Sequence, residues 1–139
     1  MFGELMIAMW PCLHARNARA LITFYEEAFG FTVNALIAGE GDRVDHAELV
    51  WSLGGGIMLA SEKSPASDEP WKLQPGTFGA YLVCDEPAQL LERAVAKGAV
   101  VIEPLATTHY GSIQFSVLDP EGNCWSFGTY LGQPSEEDS

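Results

Sequence analysis

The sequence predicts an α+β fold made from a repeated βαβββ unit, and three observations predict it. A strand–helix–strand–strand–strand order is read twice along the chain. The two readings superimpose with an offset of about 68 residues. The chain has 139 residues, 47% of them hydrophobic, which is enough for one domain with a real core and no staples.

The first apolar run, LMIAMWPCLH (5–14), reads as a strand. Asn17 then offers an N-cap, and Leu21, Phe24, Tyr25 and Ala28 recur at helical spacing until Gly30 supplies the stop. FTVNALIA, RVDHAELVW and IMLASE read as three strands, the last two joined by a glycine hairpin at Gly54–Gly56. Residues 63–75, KSPASDEPWKLQP, change composition and read as a connector. TFGAYLVC opens the second unit. Asp85 is the expected cap of a helix, EPAQLLERAVAK, that carries Pro87 in its first turn and ends at Gly98. AVVIEP, SIQFSVL and NCWSFGTY follow as strands, with DPEGN as the last turn.

The landmarks of the two units coincide. Asn17 falls on Asp85, Gly30 on Gly98, His46 on Gln114, Gly54 on Gly122, Ile57 on Trp125 and Leu59 on Phe127. The chain therefore divides into a module over about 5–62, a connector over 63–75, a module over about 76–130 and an acidic tail over 131–139.

Seven Lys and Arg stand against 19 Asp and Glu, a formal charge of −12. That balance disfavours nucleic acid, whose binding needs cations to displace counterions, and favours a cationic ligand. Cys12, Cys84 and Cys124 have no C-x-x-C spacing and sit in apolar runs, so they are expected to be buried, reduced thiols of a cytoplasmic protein. No run approaches the roughly 18 apolar residues of a membrane span. MFGELMIAMWP has no basic residue ahead of its apolar part, as a signal peptide would. GGG at 54–56 lacks the Lys-Ser/Thr of a phosphate loop.

Several stretches carry a family resemblance: PCLHARN and TFYEEAFGF within 11–31, HAEL (46–49), GGIMLAS (55–61) and YGSIQFSVLDPEGNCWSFGTY (110–130). Together they resemble the vicinal oxygen chelate superfamily of glyoxalases, bleomycin-resistance proteins and extradiol dioxygenases, and most of all its small glyoxalase-like members. The resemblance implies two βαβββ modules whose curled mixed sheets surround a cleft, with the helices on the outer face. It also implies a homodimer, an arrangement in which family members can complete a cleft between chains or keep it within one.

Metal-dependent members carry a His, Gln or Glu on the first and last strand of each module. Those positions fall here on Trp10, Met58, Gly79 (or its neighbour Phe78) and Ser126, none of them a conventional ligand for a catalytic divalent ion. The resemblance thus implies no metal at the usual site. A relocated site would need His46 and Glu48 with a third ligand from His14 or His109. The small glyoxalase-like members often have an arginine where this chain has Ile113, which argues against an anionic substrate.

Strand alternation completes the reading. In DHAELVW (45–51), Ala47, Leu49 and Trp51 share one face and His46 and Glu48 the other. If the apolar face packs on the helices, His46 and Glu48 face the cleft. The repeat puts Gln114 and Ser116 on the equivalent face, and the same parity adds Trp10, Cys12, Met58 and Ser126. Phe115, Val117, Trp125 and Phe127 are assigned to the core. Tyr110 precedes a strand where family members close the cleft, and Trp71 in the connector is either a lid aromatic or an anchor.

Indole, thioether and thiol beside imidazole, carboxylate, amide and hydroxyl make a small-molecule pocket. The expected function is binding of a small, neutral or cationic, partly aromatic molecule in a metal-free cleft, of the sequestration or resistance type. The alternative is a lyase, isomerase or dioxygenase using the relocated metal site. Separately from any metal, His46 and Glu48 are candidates for an acid/base pair, since a carboxylate can orient a general base.

Overall fold

In the computed structural model, which describes residues 6–134, the five-element order occurs twice. Leu5, at the head of the first apolar run, and the SEEDS end of the acidic tail lie outside the described residues. The first module comprises β1 (Cys12–Ala15), α1 (Ala18–Phe24), β2 (Thr32–Ala38), β3 (Val44–Val50) and β4 (Gly56–Ser61). The second comprises β5 (Gly79–Val83), α2 (Pro87–Ala96), β6 (Val100–Thr107), β7 (Ile113–Leu118) and β8 (Cys124–Gly128). Each module forms one mixed sheet, ordered β1-β4-β3-β2 and β5-β8-β7-β6. In both, the first strand runs parallel to the last and the other pairs are antiparallel.

The repeat is close but not uniform. Met58 pairs with Cys12, whereas its equivalent Ser126 pairs with Tyr81, one residue further along than a constant offset would give. Two steps back along each strand, Trp10 corresponds to Gly79 and not to Phe78. Trp10 itself lies just ahead of β1, where the sequence had placed it within the strand.

The helix starts differ from one another. Asn17 caps α1 as expected, its Oδ1 accepting from the Ala20 N–H at 3.2 Å. Glu121 of the second module adds two more acceptors there, for the N–H groups of Arg16 (2.7 Å) and Asn17 (2.8 Å). In α2 the cap position falls on Glu86, not on Asp85, and no side chain bonds the first turn. Pro87 opens that helix, so one of the donors a cap would serve is already missing.

After Phe24, α1 widens into a π-helical turn over Tyr25–Phe29, closed by Gly30 at φ 89°. The N–H groups of Gly30 and Phe31 both reach the Tyr25 carbonyl. This wider turn buries Tyr25, Ala28 and Phe29 together.

Those aromatic side chains join the two modules into one core. Trp125 of β8 is fully buried, its ring centroid 5.0 Å from that of Tyr25 and 5.4 Å from that of Phe29. Phe29 also meets Phe127 at 4.8 Å. Fully burying one such side chain is worth about 1.5–3 kcal/mol, so this cluster dominates the cohesion between modules. Phe115, Val117, Ala47 and Leu49 are buried on the helix-covered faces, as alternation requires.

β6 runs past the AVVIEP stretch to Thr107, with register shifts on either side of Glu103. It is an edge strand, so Pro104 can sit inside it without breaking the ladder. Of the three free thiols only Cys84 is buried. Cys12 is half-buried and Cys124 exposed, because Cys124 sits on the outward side of β8, opposite in parity to Trp125. Burial, with Asp85 beside it, pushes the Cys84 thiol up to about 11, which keeps it protonated and inert. Among the described residues no helix is long and apolar enough to cross a membrane.

Candidate functional site

Two β-bulges shape the polar face of the first sheet. Ile37 pairs with His46 and Ala38 with Val44, which leaves Asp45 as an extra residue on β3. The bulge turns Asp45 to the same side as His46, although neighbours on a regular strand point apart. Likewise Asn34 is the extra residue on β2, between Val33 and Ala35. Its amide nitrogen donates to Glu48 Oε1 at 3.0 Å, while His46 Nε2 lies 2.9 Å from Glu48 Oε2. Both carboxylate oxygens are thus engaged. The His46 bond first, then the Asn34 bond, hold the Glu48 carboxyl below the usual carboxylate range.

Beside this pair lies a recess of about 290 Å³, lined by Cys12, His14, Asp45, His46, Met58 and Ala60 of the sheet. Lys63, Glu69, Pro70 and Trp71 of the connector close its other side. Cys12 and His14 share a face of β1 by alternation, and both point into it. Trp71 is 58% exposed, so its ring is free on one side. Lys63 Nζ meets Glu69 Oε1 at 3.2 Å and holds the Glu69 carboxyl down. His14 is only 7% exposed, and its Nδ1 accepts the Leu73 N–H at 3.2 Å. Burial, and then the Lys63 ammonium, lower the His14 pKa, with Glu69 acting in the opposite sense.

Trp10, just ahead of β1 at the edge of the same sheet, has one side of its ring against Gly56. A Cβ there would come within 2.6 Å of the indole, so glycine at this position is what admits the ring.

The second sheet carries the other predicted residues on its own polar face. Ser116 donates to Glu103 Oε1 at 2.5 Å and lies 3.0 Å from Ser126 Oγ. It is 2% exposed, covered rather than open. The Tyr110 hydroxyl reaches Gln114 Oε1 at 3.4 Å, and its ring packs edge-on against Tyr130. Tyr81, opposite Ser126, donates its hydroxyl to the Tyr130 carbonyl at 2.8 Å.

The predicted residues therefore fall into two groups. Cys12, His46 and Met58 meet in the recess, with Trp10 and Glu48 beside it on the same sheet. Gln114, Ser116, Ser126 and Tyr110 belong to the other sheet. Asp45, Lys63, Glu69 and Glu103 were not read from the sequence, and His14 only as a metal ligand. His14 had a signal in its parity with Cys12; Asp45 and Glu103 had none, since both sit at register shifts.

Trp10, Met58, Gly79 and Ser126 do not fit a divalent ion. Among the described residues no group of three His, Cys, Asp or Glu side chains comes together to hold one. His109 lies in the turn before β7, its ring against Tyr110.

Comparison with known proteins follows from this geometry. The family model described as Glyoxalase/Bleomycin resistance protein/Dioxygenase superfamily matches residues 10–127. The uncharacterized protein Rv0887c of Mycobacterium tuberculosis is 27% identical over 135 residues, spanning 94% of this chain and 76% of that protein. The uncharacterized protein Mb0911c of Mycobacterium bovis is also 27% identical, over 94% of this chain and 85% of its own. TioX from Micromonospora sp. ML1 shares the fold, with a TM-score of 0.73 at 23% identity over 88% of this chain and 98% of that one. A glyoxalase/bleomycin resistance protein/dioxygenase family enzyme from Burkholderia phytofirmans PsJN also shares it, with a TM-score of 0.62 at 20% identity, covering 88% of this chain and 98% of its own.

Proposed function

The chain belongs to the glyoxalase/bleomycin resistance protein/dioxygenase superfamily, and on that premise we propose that it binds a small, partly aromatic, neutral or cationic molecule without a metal ion. The observation that carries this reading is the recess under the connector. It offers aromatic faces from Trp71 and His46, a thioether from Met58, and carboxylates from Asp45 and Glu69. An aromatic cation gains from the indole face by cation–π attraction and from nearby carboxylates by charge.

The binding is of the sequestration type. Among the described residues that line the recess, the thiol is Cys12, and burial raises it away from the thiolate form. Glu48 holds His46 through Nε2 and so orients the ring as part of the wall. The protein works as a homodimer in the cytoplasm. Light scattering at micromolar concentration tests the pairing, and a monomer rejects it.

Calorimetry against basic glycopeptide antibiotics and a panel of aromatic cations tests the binding. Saturable binding is expected, weakened about tenfold by Trp71→Ala, the scale of one lost cation–π contact. Absence of saturable binding across the panel rejects the reading. So does stoichiometric Zn, Ni, Mn or Fe in the purified protein that is lost on His46→Ala, which would favour a metal-dependent enzyme.

A further inference from the structure

The connector crosses the mouth of the recess with very little holding it. Its polar contacts are almost all internal: Lys63 with Glu69, Lys72 with the Pro65 carbonyl, Ser67 with Glu69 and with Ser64. Arg16 Nη2 reaches the Pro75 carbonyl at the far end, at 3.4 Å. Between 63 and 74, among the described residues, Thr77 Oγ1 donates to the Gln74 carbonyl at the segment's very end, at 2.6 Å, and one further hydrogen bond ties the segment to the body of the fold. It runs from the Leu73 N–H to His14 Nδ1.

That bond fixes the protonation of the ring. A backbone N–H can only donate, so Nδ1 must present its lone pair, and the imidazole carries its proton on Nε2 alone. An imidazolium would turn N–H against N–H at 3.2 Å and break the contact.

We propose that His14 is a latch: its neutral ring positions the strap of residues 63–74, with Trp71 and Glu69, over the recess, and its protonation releases the strap. The charged and titratable groups facing His14 are Lys63 and Glu69 from the strap, Asp45 and His46 from β3, and Cys12 on its own strand. Burial and Lys63 keep the ring neutral near neutral pH. The sign follows: a depressed imidazole holds its contact above the ordinary histidine value of about 6.5 and loses it as pH falls through the folded value. Below that window the recess loses its outer wall. The consequence for a ligand rests on the binding function proposed above, whereas the latch itself does not.

The test is therefore ligand-free. Amide hydrogen exchange across residues 63–75 is followed by NMR on the whole chain from about pH 7.5 to about pH 5, corrected for intrinsic rates. In the wild type, Leu73 protection falls by roughly tenfold or more as His14 protonates, and the 15N shift of Nδ1 is that of an unprotonated nitrogen at the upper end. In His14→Leu the strap exchanges freely at every pH. In His14→Asn, whose Oδ1 can accept the same bond but does not titrate, protection is retained and flat. Circular dichroism confirms that each variant is folded. Wild-type protection that ignores pH, a His14→Leu strap as protected as the wild type, or a His14→Asn strap that still follows pH would overturn the latch. Failure of the ligand panel would reject the binding function and leave the exchange result standing.

Discussion

The two modules share a topology and differ most at the turn between their third and fourth strands. Each turn crosses to the other module. In the first, Trp51 donates its indole N–H to the Val83 carbonyl at 2.8 Å and packs its ring 5.6 Å from Phe127. In the second, Asp119 stands where the repeat puts Trp51, and it is 4% exposed. Its carboxylate accepts from Tyr25 Oη at 2.6 Å, and from Asn123 Nδ2 and Trp125 Nε1 at 3.0 Å each. The backbone N–H groups of Glu121 and Asn123 take its other oxygen. One crossing is an apolar wedge and the other a buried carboxylate with every lone pair used. The difference shows where the fold is committed: the second module organises the shared core, while the polar face of the first borders the recess.

Breaking the second crossing should cost most. Asp119→Ala strands five donors at once, four of them buried, and is expected to destabilise the fold by about 3–5 kcal/mol, lowering Tm by roughly 10 °C or more. Urea unfolding measures it. Tyr25→Phe tests a single bond of the set, and a double-mutant cycle with Asp119→Ala should show strong coupling between them. A loss under 1 kcal/mol for Asp119→Ala would mean the crossing is decorative.

Glu121 extends the same turn to the start of α1. Glu121→Ala removes two acceptors and a negative charge from a helix N-terminus, and about 1–2 kcal/mol is expected. The effect should fade when high salt screens the charge but not vanish, because the hydrogen bonds are short. For the first module's crossing, Trp51→Phe keeps the ring packing and deletes the bond to Val83, at about 1 kcal/mol by the same unfolding assay. The order of these three losses is the comparison in measurable form. An apolar crossing that proved costlier than the carboxylate one would reverse it.

The same contrast sets what could be read from the sequence. Element order, the repeat and the inward faces were legible, since caps, glycine stops and alternation are local and the core obeys them. DPEGN was legible only as a turn. That Asp119 reaches Tyr25 of the other module, and Glu121 the cap of α1, depends on how the modules dock, which no local spacing encodes. The recess was half legible: alternation found Cys12, His46 and Met58. It missed Asp45 there, and Glu103 on the other sheet, because a register shift breaks the period of two. His14 was seen only as a metal ligand because its partner, the Leu73 backbone, has no side-chain signal at all.

The smallest expected effect sharpens the comparison at the equivalent sites Glu48 and Ser116. Hydrogen bonds from His46 and then Asn34 hold the Glu48 carboxyl below its ordinary value. A depressed carboxylate contributes stability above the ordinary value of about 4.3 and loses it as pH falls through the folded one. His46→Ala should move the Glu48 carboxyl titration upward, and Asn34→Ala should move it less, both followed by carbonyl 13C shifts. The pair is only half-buried, at the surface of the sheet, so global stability should hardly respond. In the second module the hydroxyl of Ser116 instead donates to Glu103, and its Glu103→Gln variant should leave the Glu48 titration unchanged. If His46→Ala leaves the Glu48 midpoint in place, the two side chains are not joined in solution. His46 would then be a free imidazole in the recess wall, and the acid/base alternative would lose the carboxylate that orients its base.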